Sequence, residues 1–269
     1  MNYRHSYHAG NFADVLKHAV LCWTIRYLQQ KEAPLCLIDT HAGSGVYDLT
    51  GTEAGKTLEA RDGVLRLLDS ADVPTVFQPY LGYVRAQGVN QYPGSPSLLK
   101  SLARRNDRVA LCELHPEEAG QLRHNMGDAR NLRVIEGDGY RKLQGLIPPA
   151  EKRGVVLIDP PFEQPDELSV LASEFIAAYR KWPTGVFMLW FPVKDQGQFE
   201  RFTSELQSAL IPKLHVVTLD VDRIEGLSAC GLILANAPYT FESEWKPALA
   251  WLGETLSQGP NPASRCSTL

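Results

Sequence analysis

The apolar residues of this chain follow two different periods. From 11 to 30, Phe12, Val15, Leu16, Ala19, Val20, Trp23 and Tyr27 recur at spacings of three and four, which predicts an amphipathic helix capped by Asn11. Short continuous apolar runs follow at 35–39 (LCLID), 108–113 (RVALCE), 132–138 (LRVIEGD), 154–159 (GVVLID) and 185–191 (GVFMLWF). Most of them stop near an acidic residue. Helical stretches at 116–126, 140–146 and 166–181 separate the last four runs, and such alternation implies a mostly parallel sheet with helices on both faces.

The rhythm changes towards the end of the chain. After a predicted helix at 196–210, the runs 213–221 and 228–238 are separated by only a few residues, too few for a parallel crossover, so these two strands should be antiparallel. Five parallel strands plus an antiparallel pair is the layout of Rossmann-like methyltransferases. A last helix is predicted at 245–256, and 258–269 reads as a flexible tail. The first strand ends at Asp39 and the second at Glu113, a gap far longer than the ~30 residues of one crossover unit. Helical patterns at 55–70 and 74–87 fill that gap, which divides the chain into a main domain of 1–46 and 92–257 and a helical insertion of 47–91.

Composition narrows the class without changing this layout. With 269 residues, 44% hydrophobic and 22% charged, the chain can bury a full core, which excludes disorder. A net charge of −4 means that any nucleic-acid contact must come from a local basic patch. Cys22, Cys36, Cys112, Cys230 and Cys266 form no C-x-x-C pair and read as reduced core residues, with no metal site. No apolar run reaches ~18 residues and the first residues are polar and histidine-rich, so the expectation is a cytoplasmic protein with no membrane contact and no obligate protein partner.

The acidic strand ends hold the candidate chemistry, since ligands of open parallel sheets sit at the carboxyl edge. DTHAGSG (39–45) supplies small residues at the first turn but lacks G-x-G-x-x-G spacing and G-K-[ST], so it reads either as a tight turn or as a ligand loop. Glu113 ends the second strand, where a carboxylate can accept from the two hydroxyls of a ribose. GDG (137–139) ends the third, where Asp138 could accept from an adenine amino group; without its neighbours it would read as a turn. The most specific element is DPPF (159–162) behind a strand buried on both faces. An exocyclic adenine nitrogen is a poor nucleophile because its lone pair is delocalised. Asp159 and a carbonyl fixed by Pro160 and Pro161 can bind the two amino hydrogens and stabilise the developing positive charge, while Phe162 can stack on the base.

YRHSYHAGNFADVLKH, DTHAGSG, YPGSP, ELHP, GDG and IDPPF, in this order, resemble the bacterial RlmJ-type family of 23S ribosomal RNA adenine-N6 methyltransferases. The resemblance extends to about Trp251. It implies S-adenosylmethionine as cofactor, S-adenosylhomocysteine as product, 23S ribosomal RNA as partner and a helical insertion after the first strand. Carried over by position, it places Lys17, His18, His41, Ser95, Glu113, Asp138, Gly139 and Asp159 around the cofactor. Asp159, Pro160 and Phe162 then form the catalytic motif, and Tyr3 lies by the substrate. Lys17 could meet the methionine carboxylate, and Asp14, four residues before His18, could fix its ring. Arg4 joins Tyr3 in a cationic and aromatic segment suited to phosphates and stacked bases. The family motif ends in tyrosine where this chain has Phe162, which keeps the ring face and loses the hydroxyl. Two alternatives share the residues: a DNA adenine-N6 methyltransferase, and a nucleic-acid binding or uptake factor linked to use of external DNA.

Overall fold

In the computed structural model, residues 8–50, 59–88 and 90–269 are described. Helix α1 (Phe12–Leu28) opens the fold, with the Asn11 side chain accepting from the amide of Asp14 as an N-cap. Five parallel strands follow: β1 (Cys36–Asp39), β4 (Arg108–Glu113), β5 (Leu132–Glu136), β6 (Gly154–Ile158) and β7 (Val186–Pro192). Between β1 and β4 lie a short ribbon, β2 (Val46–Asp48) with β3 (Gln91–Pro93), a helical run through Arg61–Leu65 and Arg66–Leu68, helix α2 (Gln78–Gln87) and helix α3 (Ser95–Leu102). Crossovers are made by α4 (Pro116–Met126), α5 (Gly139–Leu146) and α6 (Glu167–Lys181). Helix α7 (Gln196–Ser208) then leads into β8 (Leu214–Asp220), β9 (Ala229–Ala235), helix α8 (Phe241–Leu256) and β10 (Ala263–Thr268).

The sheet order is β10-β8-β9-β7-β6-β1-β4-β5. β9 inserts antiparallel between β7 and β8, so the predicted antiparallel pair is present and closes the parallel set. The central strands β1 and β6 are buried at every position, which is why they read as unbroken apolar runs. Their carboxyl ends lie side by side, because Asp39 is in register with Leu157.

Two expectations are corrected. The segment 258–269 is not a loose tail: β10 pairs antiparallel with β8 from Ala263 opposite Asp220 to Thr268 opposite His215, and Cys266 is buried. As an edge strand it needs apolar residues on one face only, and its polar exposed face hid the alternation. Helix α1 is not amphipathic in place. Every residue from Phe12 to Ile25 is buried, including Asp14, Lys17, His18 and Thr24, because the helix is covered by β6 and β9 on one side and by the insertion on the other. The insertion also contributes Val64, Phe77, Tyr80 and Leu81 to the same apolar core as α1 and Trp245, and it leaves and returns through the β2–β3 ribbon.

Candidate functional site

Along the carboxyl edge of the sheet, turns and caps hold the acidic side chains. After β1 the chain turns through Gly43 (φ +62°), a conformation that favours glycine, and a Cβ there would stand 2.4 Å from the Tyr47 hydroxyl and displace it. That turn brings the Gly43 amide to Oε2 of Glu113 at 2.8 Å, while Oε1 accepts from the His115 amide, also at 2.8 Å. Asp138 is the N-cap of α5, with Oδ1 accepting from Tyr140 and Arg141 amides at 3.0 and 3.3 Å. Gly139 has a firmer requirement: a Cβ there would lie 1.9 Å from the Thr40 carbonyl oxygen, so the first and third strand ends can meet only across glycine. His41 packs edge-on against Tyr140 at 5.0 Å between ring centres, and its Nδ1 is 2.8 Å from the Thr40 hydroxyl, which donates to the Leu157 carbonyl. Burial pushes the His41 pKa down to about 4, against the pull of Asp159 and Asp138, so its ring is neutral at pH 7.

Asp159 follows β6 on the opposite wall and is half-buried. Its Oδ2 receives Lys17 Nζ at 2.5 Å, and the same ammonium is 2.9 Å from Asp14 Oδ1. Burial alone would lower the Lys17 pKa. The two carboxylates reverse that and hold it well above its ordinary value, so Lys17 is a buried cation between two acids. It stands 5.9 Å from the centre of the Trp190 ring. Pro160 is buried behind Asp159. Phe162 has φ +53°, a rare conformation for a residue with a side chain, and its ring meets Trp190 edge-to-face at 5.6 Å.

These walls enclose a cavity of about 710 Å³. Lys17, His18, His41, Ser95, Glu113, Asp138, Gly139 and Asp159 all line it, together with Pro160. Phe162 does not; its ring is turned to Trp190. Tyr3 and Arg4 lie outside the described residues. The ring of His18 is held from both sides: the Tyr92 hydroxyl is 2.7 Å from Nδ1, and Asp14 Oδ1, the expected i, i+4 partner, is 4.0 Å from Nε2. Asp39, which sequence reasoning left inside a motif, sits fully buried behind the lining. Its carboxyl accepts from the His41 amide at 3.2 Å, and burial first, then the nearby Asp159, raises its pKa to about 6 against the opposing Ser95 hydroxyl. No local signal marks Trp190 or the Lys17–Asp159 pair.

A glycine at 139 that admits no side chain, a Glu113 carboxylate held in place and a cavity of this size fit an adenosine-containing cofactor. Fold and site together define the class: a Rossmann-like, S-adenosylmethionine-dependent methyltransferase. Comparison with known proteins narrows it. The family model described as "Ribosomal RNA large subunit methyltransferase D, RlmJ" matches residues 32–265. Curated proteins named "Ribosomal RNA large subunit methyltransferase J", from Escherichia coli (strain K12) and Haemophilus influenzae, are each 36% identical over 95% of this chain and 94% of their own. The crystal structure of a Legionella pneumophila protein superposes with a TM-score of 0.87, 35% identity and coverage of 97% and 98% of the two chains. A probable spermidine synthase from Corynebacterium glutamicum, 11% identical over 98% of this chain and 84% of its own, shares the fold at a TM-score of 0.51. The chain belongs to the RlmJ family of ribosomal RNA large-subunit methyltransferases.

Proposed function

We propose that this protein transfers the methyl group of S-adenosylmethionine to N6 of an adenine in 23S ribosomal RNA. The observation that carries the reading is the Asp159 carboxylate, fixed by buried Lys17 at the end of β6 and facing the same cavity as Glu113 and Asp138. The bound cofactor would supply an electrophilic methyl group on a sulfonium. Glu113 would accept from its ribose and Asp138 from its adenine. The Asp138 oxygen that does not cap α5 is 3.4 Å from Arg141 Nε, at the exposed rim. His41, neutral and wedged against Tyr140, adds polar surface without competing positive charge.

Asp159 acts on the acceptor. Its free lone pairs and a carbonyl in the Pro160–Pro161 turn would take the two amino hydrogens, favouring a pyramidal nitrogen whose lone pair points at the methyl group. As nitrogen becomes positive, the carboxylate stabilises it, an effect that grows towards the transition state. Lys17 holds that carboxylate aimed. The target base must leave its stack to reach this position.

The test is incubation with labelled cofactor and either 23S ribosomal RNA from a strain lacking the protein or duplex DNA. Label should enter RNA at N6 of adenine. Asp159→Ala should lower transfer by about 10²–10³-fold while cofactor affinity, read by calorimetry, stays within about tenfold. Methylation of DNA alone, or near-parental turnover by the variant, would refute the reading.

A further inference from the structure

Outside the cavity, a second charged cluster joins parts of the chain that are far apart in sequence. The side chain of Glu59, in the insertion, is 10% exposed and uses both oxygens. Oε2 accepts from Asn11 Nδ2 at 3.1 Å and faces His8 Nδ1 at 3.0 Å; Oε1 accepts from Arg223 Nη1 at 2.9 Å. His8 precedes α1, Asn11 caps it, and Arg223 lies in the loop between β8 and β9. Burial alone would raise the pKa of Glu59, but the bonds from His8, Asn11 and Arg223 bring it below the ordinary carboxylate value; the bond to Glu59 in turn raises His8. The backbones are clasped as tightly. Val64 donates to the Gly10 carbonyl at 2.8 Å, and a Cβ on Gly63 would stand 2.2 Å from that same oxygen.

This cluster belongs to the catalytic edge of the sheet. Cys230, at the start of β9, pairs with Pro192 at the end of β7, and β7 neighbours the strand that delivers Asp159. Hydrogen bonds connect the two places without a break. Asn11 accepts from the Asp14 amide at 2.9 Å, Asp14 holds Lys17, and Lys17 holds Asp159. A carboxylate that ties three segments beside the acceptor, without touching the cavity, has a geometric role to play.

We infer that Glu59 is a positioning residue for the RNA substrate: it clasps the amino-terminal segment, the insertion and the β8–β9 loop into a single rim beside Asp159. The inference rests on the proposed RNA methylation. Loss of the clasp frees these segments to move apart, which weakens RNA docking and leaves the cofactor walls of Glu113 and Asp138 in place.

Steady-state kinetics on ribosomal RNA, cofactor calorimetry and melting temperature, measured on the full chain, test this. Glu59→Gln keeps shape and removes charge; KM for RNA should rise by about tenfold, with kcat and cofactor affinity within about threefold of the parent. Arg223→Ala opens the clasp from the other side and should do the same. The two changes combined should raise KM no more than the larger one alone, because one interaction is lost in both. If Glu59→Gln fails to fold, Arg223→Ala carries the test. A parental KM in a folded variant, additive effects in the pair, or equal losses in cofactor and RNA affinity would overturn the clasp. A parent inactive on ribosomal RNA would overturn the function beneath it.

Discussion

The two walls of the cavity are built by different means. On the β4–β5 side, acids are held by backbone amides, most of them close by in sequence: Glu113 by His115, two residues on, and Asp138 by Tyr140 and Arg141, two and three residues on. On the β6 side, side chain meets side chain over a long distance: Lys17 reaches 142 positions to Asp159, and beyond the cavity Arg223 reaches 164 to Glu59 in the same way. The first kind of wall needs only a strand, a turn and a cap. The second exists only when the whole molecule has folded, and each member depends on the others.

That contrast can be broken most severely at Lys17. Replacing it by methionine leaves two carboxylates facing each other around a buried site, and the loss of one partner from such a set costs ~3–5 kcal/mol. Urea unfolding should show a loss of this order, and Asp14→Asn combined with Lys17→Met should recover part of it without restoring methyl transfer. A loss of under ~1 kcal/mol would show that the wall does not depend on its ion pairs.

A smaller effect is expected on the backbone-held side. Glu113→Ala should weaken cofactor binding by ~1.5–3 kcal/mol, the range for hydrogen bonds to a charged group, with RNA affinity little changed. It also removes the acceptor of the Gly43 and His115 amides, so the two walls can be told apart by which ligand suffers. Equal weakening of both ligands would mean that the walls are not separable.

The smallest effect is a gain, at the residue between the walls. Asp39 has its pKa raised to about 6 from 3.8, so the folded state holds this proton more tightly than the unfolded one and stability falls as pH rises from about 4 through 6. Asp39→Asn keeps an acceptor and removes the charge. The variant should match the parent near pH 4 and exceed it by about 1–3 kcal/mol at pH 8, since one pKa unit corresponds to ~1.4 kcal/mol. An unchanged pH profile would show that Asp39 is not the group responsible.

The same contrast explains what could be read from the sequence. The parallel strands were legible because burial on both faces leaves unbroken apolar runs, and the proline pair after Asp159 marked the strand end unmistakably. Glu113 and Asp138 were legible because each stands where an apolar run ends. Lys17 was placed at the cavity without its ion pair to Asp159, since nothing local to FADVLKH points 142 positions ahead. For the same reason Asp14, on the same helix, was legible as a partner of His18, whereas the contact with Tyr92, 74 positions on, was not. β10 escaped notice because an edge strand with a polar outer face carries half the usual pattern. Phe162 turned to Trp190 for a partner that no spacing rule supplies.

A helix enclosed on every side from Phe12 to Ile25 has a consequence for the timing of order. Asp14 and Lys17 ride on it, so the acceptor carboxylate they hold loses its orientational entropy when the chain folds, before any base arrives. On the proposed mechanism, what is brought in at the moment of reaction is the extruded nucleotide. An enzyme of this build resembles a vice with one fixed jaw: the rigid half is machined in advance, and selectivity falls to whatever brings the moving half, the extruded adenine, against it.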